Sequence, residues 1–217
     1  MILDLLFPNR CIHCNRIIDG NLPVCNLCFE QIHFTHFNYF ENNYLKERCK
    51  LLFPIENAFA LMQFEKENLS RKIIHELKYK SREKIGKTIA DWTIERLDFK
   101  NEKPDVLVSV PLHPKKLKER GYNQLHLFTE TLSKFYEIPF SHDLIKRNHY
   151  SKAQALKDKQ HRLDTENTFS ISKSISGKHV LLIDDVFTTG NTLSTIAWEI
   201  LKAGDNTVSI LIMAIDV

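Results

Sequence analysis

Apolar positions along this chain recur with two periods. Ala58-Phe59-Ala60-Leu61-Met62-Gln63-Phe64 reads as a strand or hairpin. Val106-Leu107-Val108-Ser109-Val110, the all-apolar run Val180-Leu181-Leu182-Ile183 and the stretch Thr207 to Ile215 have the length and composition of buried strands. Between them the spacing is helical. Ser70 is placed to cap a helix that turns Ile73, Ile74 and Leu77 inward and leaves Arg71, Lys72, Lys78 and Lys80 toward solvent or a ligand. Further helices are predicted around Ile85 to Leu97 (Ile85, Ile89, Trp92 and Ile94), on Leu125, Leu127, Phe128, Leu132 and Phe135, and over Leu193 to Ala203. The last carries Leu193, Ile196, Ala197, Ile200 and Leu201 inside, with Gly204 as its C-terminal stop. Strand, loop, helix and strand in this order imply a parallel βαβ crossover, whose ligands bind at the carboxyl ends of the strands.

With 217 residues, 43% hydrophobic and 26% charged, the chain is long enough for one substantial core and a small appendage. No apolar run approaches the roughly 18 residues of a membrane-spanning helix, so membrane insertion is not expected. The N-terminus has no basic region ahead of its short apolar stretch, so a cytoplasmic location is expected. A net charge of +3 gives no global signal for nucleic acid. Its distribution is uneven: Lys115 to Arg162 holds eleven basic and five acidic residues, a surface suited either to an anionic ligand or to solvent alone.

Four of the five cysteines form two pairs, Cys11-x-x-Cys14 and Cys25-x-x-Cys28. Two residues between thiols let both sulfurs turn toward one metal, and two pairs supply the closed S₄ shell of structural Zn²⁺. Disulfides compete, but suit a reducing compartment poorly. His13 could replace a thiol, and Cys49 reads as an inert buried one. A segment with so little core takes much of its folding free energy from the metal, which sets a zinc module at residues 1–50 and an α/β domain at 51–217.

Asp184-Asp185-Val186-Phe187-Thr188-Thr189-Gly190-Asn191-Thr192 leaves a strand and enters a helix. Threonine hydroxyls, a glycine and free helix amides suit a phosphate monoester. The two carboxylates suit hydroxyl donors, and a sugar phosphate satisfies both ends. The plain alternative is a Thr/Gly turn with an Asp cap, for which one carboxylate would be enough.

VLLIDDVFTTGNT, residues 180–192, resembles the phosphoribosyl-diphosphate motif of type I phosphoribosyltransferases. The wider chain is similar to the ComF family of competence-associated proteins, which join a four-cysteine zinc module to such a domain. The resemblance rests on the knuckles preceded by Leu6-Phe7-Pro8, on Leu77-Lys78-Tyr79, on Val110-Pro111-Leu112-His113 and on Arg120-Gly121-Tyr122-Asn123-Gln124. It also includes Gln154 and Arg162 before Phe169, with Asn167 two positions later than the family pattern places an asparagine.

The resemblance implies an α/β fold, a parallel sheet flanked by helices, and a set of roles. Asp184 and Asp185 would contact the ribose hydroxyls, and Thr188, Thr189, Gly190, Asn191 and Thr192 would hold the 5-phosphate. Val110, Pro111 and Leu112 would hold pyrophosphate, Lys115 and Arg120 would carry catalytic positive charge together with Lys116, and Mg²⁺ would arrive on the diphosphate. Thr188 stands where some purine-salvage members carry an aspartate that accepts a proton from the base, so that base comes from elsewhere or is not needed. Tyr122 either stacks on a base or packs inward, and no role is expected for His75, His113, His149 or His161. The expected activity is transfer of ribosyl phosphate from phosphoribosyl diphosphate to an acceptor. The alternative is a metabolite-sensing adaptor without chemistry, whose zinc module and Lys115–Arg162 surface bind single-stranded DNA or DNA-uptake proteins.

Overall fold

A computed structural model describes residues 8–18, 22–64, 68–79, 82–148 and 168–216. In chain order its elements are α1 (Asn26–Phe29), α2 (Tyr44–Lys50), β1 (Ala58–Gln63), α3 (Leu69–Leu77), α4 (Lys84–Ile94), β2 (Val106–Ser109) and α5 (Pro114–Arg120). There follow α6 (His126–Tyr136), β3 (Phe140–Ser141), β4 (Ile145–Arg147), β5 (Phe169–Ile171), β6 (His179–Phe187), α7 (Asn191–Lys202) and β7 (Thr207–Ile215).

Five strands form one parallel sheet in the order β1-β7-β6-β2-β3. The fully apolar strands take the centre, where Val180 to Ile183 and Ile210 to Ile215 are buried. Buried on both faces, such strands read as continuous apolar runs instead of alternating ones. From β2 the chain moves outward to β3, whereas from β6 it moves the other way to β7. In open α/β sheets ligands bind where such a reversal occurs, and the acidic pair and the threonine turn lie at these carboxyl ends of β2 and β6. Ser109, the last residue of β2, pairs with Ile183.

The structure departs from the sequence expectations in a few places. β1 is a single strand paired with β7, not a hairpin. Strand β6 does not stop at Ile183. It runs through the acidic pair, with Asp184 opposite Ile212, Val186 opposite Ala214 and Phe187 opposite Ile215, because the equally long β7 offers a ladder that far. Only Thr188, Thr189 and Gly190 remain as the turn. Asn68, not Ser70, caps α3: its side-chain oxygen accepts the Arg71 N–H at 3.3 Å, while Ser70 is buried in the first turn. On α6 Phe128 is buried as expected, but in the last turn the inward aromatic is Tyr136, whose hydroxyl donates to the Leu97 carbonyl, while Phe135 is 59% exposed. Lys115 to Arg120 form helix α5 instead of a loop, with Pro114 at its first position, the His113 ring accepting the Lys115 N–H at 3.2 Å and Gly121 ending it at φ 86°.

The chain that follows the second knuckle runs along β1. The Thr35 N–H donates to the Leu61 carbonyl (3.0 Å), the Gln63 N–H donates to the His33 carbonyl (2.8 Å), and Phe34 bridges Met62. That contact covers a sheet edge that would otherwise stay open. Phe29 and Phe34 pack against Trp92 of α4, with ring centroids 5.3 and 6.3 Å away.

Candidate functional site

The acidic pair sits where β6 outlasts β2. The Asp185 carboxylate is buried and takes two donors, the Gln124 side-chain amide at 2.6 Å and the Lys78 ammonium at 3.0 Å. Gln124 in turn accepts from the Arg120 guanidinium, so a continuous chain of polar groups links Arg120 to Asp185. Asp184 accepts the Asp185 backbone N–H at 2.8 Å. Asp184 itself is half-buried. Burial and then the neighbouring Asp185 charge push its carboxyl up to about 8, against the Asp185 N–H and Lys78. At neutral pH Asp184 therefore holds a proton for much of the time and can donate as well as accept.

Beyond Phe187 the chain turns into α7. Gly190 occupies the N-cap at φ 77°, a conformation costly for other residues. A Cβ there would also lie 2.5 Å from Leu52 Cδ1 and 3.0 Å from the Phe187 ring, so a larger residue would have to push the Leu52 side chain aside as well as adopt the strained backbone. No side chain caps α7 and its first turn holds no acid. Thr188, Thr189, Asn191 and Thr192 are exposed around these N–H groups. Uncapped amides, exposed hydroxyls and the positive end of a helix dipole make an anion cradle.

The segment after β2 is pinned from two sides. The Val110 N–H donates to the Ile183 carbonyl at 2.9 Å, and the Val110 carbonyl accepts from the Asn123 side chain at 3.1 Å. Pro111 and Leu112 are half-buried beside it. Tyr122 packs inward, its hydroxyl donating to the Leu77 carbonyl at 2.5 Å and contacting the Tyr79 carbonyl. Two motifs far apart in sequence are thereby fastened together, which sets Lys78 and Gln124 on one carboxylate. The structure brings Asp184, Asp185 and Arg120 into one network. The Lys115 and Lys116 side chains are exposed on α5. Residues 149–167, with Gln154, Arg162 and the rest of the basic stretch, lie outside the described residues, as do Leu6 and Phe7.

Sequence reasoning turned Lys78 toward solvent or a ligand and gave it and Gln124 places in family motifs, but paired neither with Asp185. It missed Arg48 of α2 altogether. The Arg48 guanidinium donates to the Thr188 carbonyl at 2.9 Å across 140 residues, and no local pattern carries such a contact.

The sulfurs of Cys11, Cys14, Cys25 and Cys28 all lie within 4.8 Å of one another, and none is disulfide-bonded. Cys14 and Cys25 Sγ are 3.7 Å apart. A tetrahedron with Zn–S bonds near 2.3 Å has edges of about 3.8 Å, so the four thiols fit a structural zinc. The His13 ring faces Lys72 of α3 at 3.2 Å and lies outside this cluster. Cys49 is fully buried, which raises its thiol to about 12 and leaves it inert. Among the described residues no helix is long and apolar enough to cross a membrane.

Comparison with known proteins identifies both parts of the chain. The phosphoribosyl transferase domain model matches residues 76–215, and the double zinc ribbon model matches residues 2–39. Competence protein F of Haemophilus influenzae is 30% identical over 220 residues, covering 91% of this chain and 93% of that protein. The DNA utilization protein YhgH of Escherichia coli O157:H7 is 30% identical over 144 residues, 64% of this chain and 63% of its own length. The chain thus spans a little under two thirds of that relative. Among solved structures, an adenine phosphoribosyltransferase from Leishmania donovani aligns with a TM-score of 0.40 and 16% identity, over 73% of this chain and 83% of that one. On the full-length match and the two domain matches together, the chain belongs to the competence protein F (ComF) family, in which a double zinc ribbon precedes a phosphoribosyl transferase domain.

Proposed function

We propose that the chain binds phosphoribosyl diphosphate with Mg²⁺ and transfers its ribosyl phosphate to an acceptor. One observation carries the reading: an adjacent carboxylate pair on β6, with Asp185 buried and held by Gln124 and Lys78, lies directly ahead of an uncapped, hydroxyl-lined helix start. In this account the exposed threonines and free amides of residues 188–192 hold the 5-phosphate, and the acidic pair meets the ribose hydroxyls. Lys78 and Gln124 hold the Asp185 carboxylate in place before the sugar arrives, so little reorganisation is needed on binding. Val110, Pro111 and Leu112 border the departing pyrophosphate, with Arg120 and Lys115 as the nearby positive charge. The donor set fits Mg²⁺ carried by the ligand: the acidic pair supplies hard oxygens on the ribose side, and Mg²⁺ itself neutralises diphosphate charge.

The absence of a carboxylate or histidine from the turn sequence Thr188-Thr189-Gly190 favours one second reading, a metabolite-binding adaptor that performs no transfer. The names of the relatives, competence and DNA utilization proteins, suggest a setting in DNA handling for both readings; in the adaptor reading the partners are single-stranded DNA or DNA-uptake proteins.

Calorimetric titration of the zinc-loaded protein with phosphoribosyl diphosphate and Mg²⁺ tests the pocket. Asp185→Asn is expected to weaken binding by about tenfold or more, the value of a charged hydrogen bond, with the fold retained by circular dichroism. Equal affinity in the two proteins would remove the ribose assignment. Pyrophosphate release with candidate acceptors then separates transferase from adaptor.

A further inference from the structure

Arg48 belongs to the segment that follows the zinc knuckles, yet it is fastened to the phosphate turn. Its Nη2 donates to the Thr188 carbonyl at 2.9 Å and its Nη1 to the Tyr44 hydroxyl at 2.9 Å. The guanidinium lies over the Phe187 ring, 5.4 Å from its centroid, and over Tyr44 at 5.6 Å. Four residues on, Leu52 closes against Gly190. The Leu52 carbonyl accepts from the Trp198 indole at 3.0 Å and the Ser194 hydroxyl at 3.4 Å, both on α7. One short stretch of chain thus clasps the turn and the start of its helix.

Peptide geometry gives this clasp a consequence. The Thr188 carbonyl and the Thr189 N–H share one planar unit and point in opposite directions. Holding the carbonyl toward Arg48 aims the N–H away from it, so a side chain 140 residues distant sets the direction of a cradle donor. The charge is equally informative. A cation near a helix N-terminus opposes the helix dipole. Among the described residues no carboxylate pairs with Arg48, and the first turn of α7 carries no acid. A phosphate dianion at the turn turns this repulsion into attraction.

We infer that Arg48 is the positioning residue of the 5-phosphate turn, supplied to the phosphoribosyl transferase domain by the N-terminal segment. It orients the turn through the Thr188 carbonyl and adds positive charge at the phosphate. The inference rests on the phosphoribosyl diphosphate reading above.

The test compares wild type, Arg48→Met and Arg48→Lys, all zinc-loaded, by calorimetry against two probes: phosphoribosyl diphosphate with Mg²⁺, and Mg²⁺–pyrophosphate alone. Methionine keeps the stem over Phe187 and removes charge and donors. Arg48→Met is expected to lose about tenfold or more in affinity for phosphoribosyl diphosphate, which carries the 5-phosphate, and to keep pyrophosphate affinity within about twofold. Arg48→Lys recovers part of the loss, since the charge remains while the forked hold does not. Unchanged phosphoribosyl diphosphate affinity in Arg48→Met, beside a wild type that binds, overturns the role of Arg48 and leaves the pocket standing. Parallel loss of both probes with a lowered melting temperature reduces Arg48 to a packing residue and overturns it too. A wild type that binds neither probe overturns the pocket reading, and the inference with it.

Discussion

The zinc knuckles and the β6–α7–β7 unit solve the problem of holding a chain in shape by opposite means. Around the knuckles few apolar side chains are buried, Val24 and Ile32 among them, while Ile17, Leu22 and Leu27 are each at least half exposed. Four sulfurs converge where a core would otherwise be needed. In the β6–α7–β7 unit the inward residues Leu181, Ile183, Ile196, Ile200, Ile210 and Ile212 are fully buried. The chemistry follows the same division. A metal with four protein ligands has no open position and suits structure alone. The turn after β6, carried on a rigid apolar unit, leaves its hydroxyls and amides open to a ligand. The proposed ligand site sits where burial has already secured the fold.

The largest expected effect comes from removing what holds the first region. Chelation or Cys28→Ser should release one zinc per chain and unfold much of residues 8–39, because structural zinc sites supply on the order of 10 kcal/mol to small modules. Hydrogen exchange checks the comparison directly: amides around the knuckles lose protection, while those of β6 and β7 keep it. Protection retained across residues 8–39 in the metal-free protein would show that packing such as Phe29 on Trp92 holds this region instead, and the contrast would fail.

What was legible in the sequence follows the same contrast. The knuckles were legible because ligand spacing is local, and β6, α7 and β7 because continuous apolar runs and a 3.6-residue period are local too. Helix α5 was not legible. None of its residues is buried, so no apolar period marks it, and only Pro114 and Gly121 punctuate its ends. The end of β6 was misplaced because two aspartates read as loop, although backbone pairing with β7 decides the matter there. Phe135 and Tyr136 offer neighbouring aromatics, and tertiary packing against Leu97 and Phe99 chose the second. Within the site, the acidic pair and the turn were legible as a motif. The clasp of Arg48 and Leu52 was not, since nothing near residue 50 refers to residue 190.

That clasp supplies an intermediate effect. Gly190→Ala forces a left-handed backbone on alanine, at about 1–2 kcal/mol, and drives its methyl into Leu52. Leu52→Ala opens that space without relieving the backbone. In urea unfolding, the double variant should therefore be less destabilised than the sum of the single ones, by roughly 1 kcal/mol. Additive losses would mean that Leu52 and Gly190 do not press on each other, and that the N-terminal segment merely lies beside the turn.

The last effect concerns charge, and it runs opposite to the pH response of the knuckles. Zinc thiolates are protonated as pH falls, so the metal-held region weakens in acid. Asp184 behaves in the reverse sense. Burial and the Asp185 charge raise its carboxyl to about 8 in the folded chain, against an ordinary value of 3.8. Between these values the folded state binds more protons than the unfolded one, so the contribution of Asp184 to stability declines as pH rises through that window. Asp184→Asn keeps an acceptor for the Asp185 N–H and removes the charge that the site resists. It should unfold at a higher temperature than wild type at pH 8, by about 2–4 °C for each kcal/mol gained, and the gain should fade toward pH 5. Thermal melts of the two proteins across this range decide the point. A difference independent of pH would mean that Asp184 keeps an ordinary carboxylate in the folded protein. In that case the cost of bringing the two carboxylates together would lie in geometry alone, and its contrast with the metal-held knuckles would lose its electrostatic half.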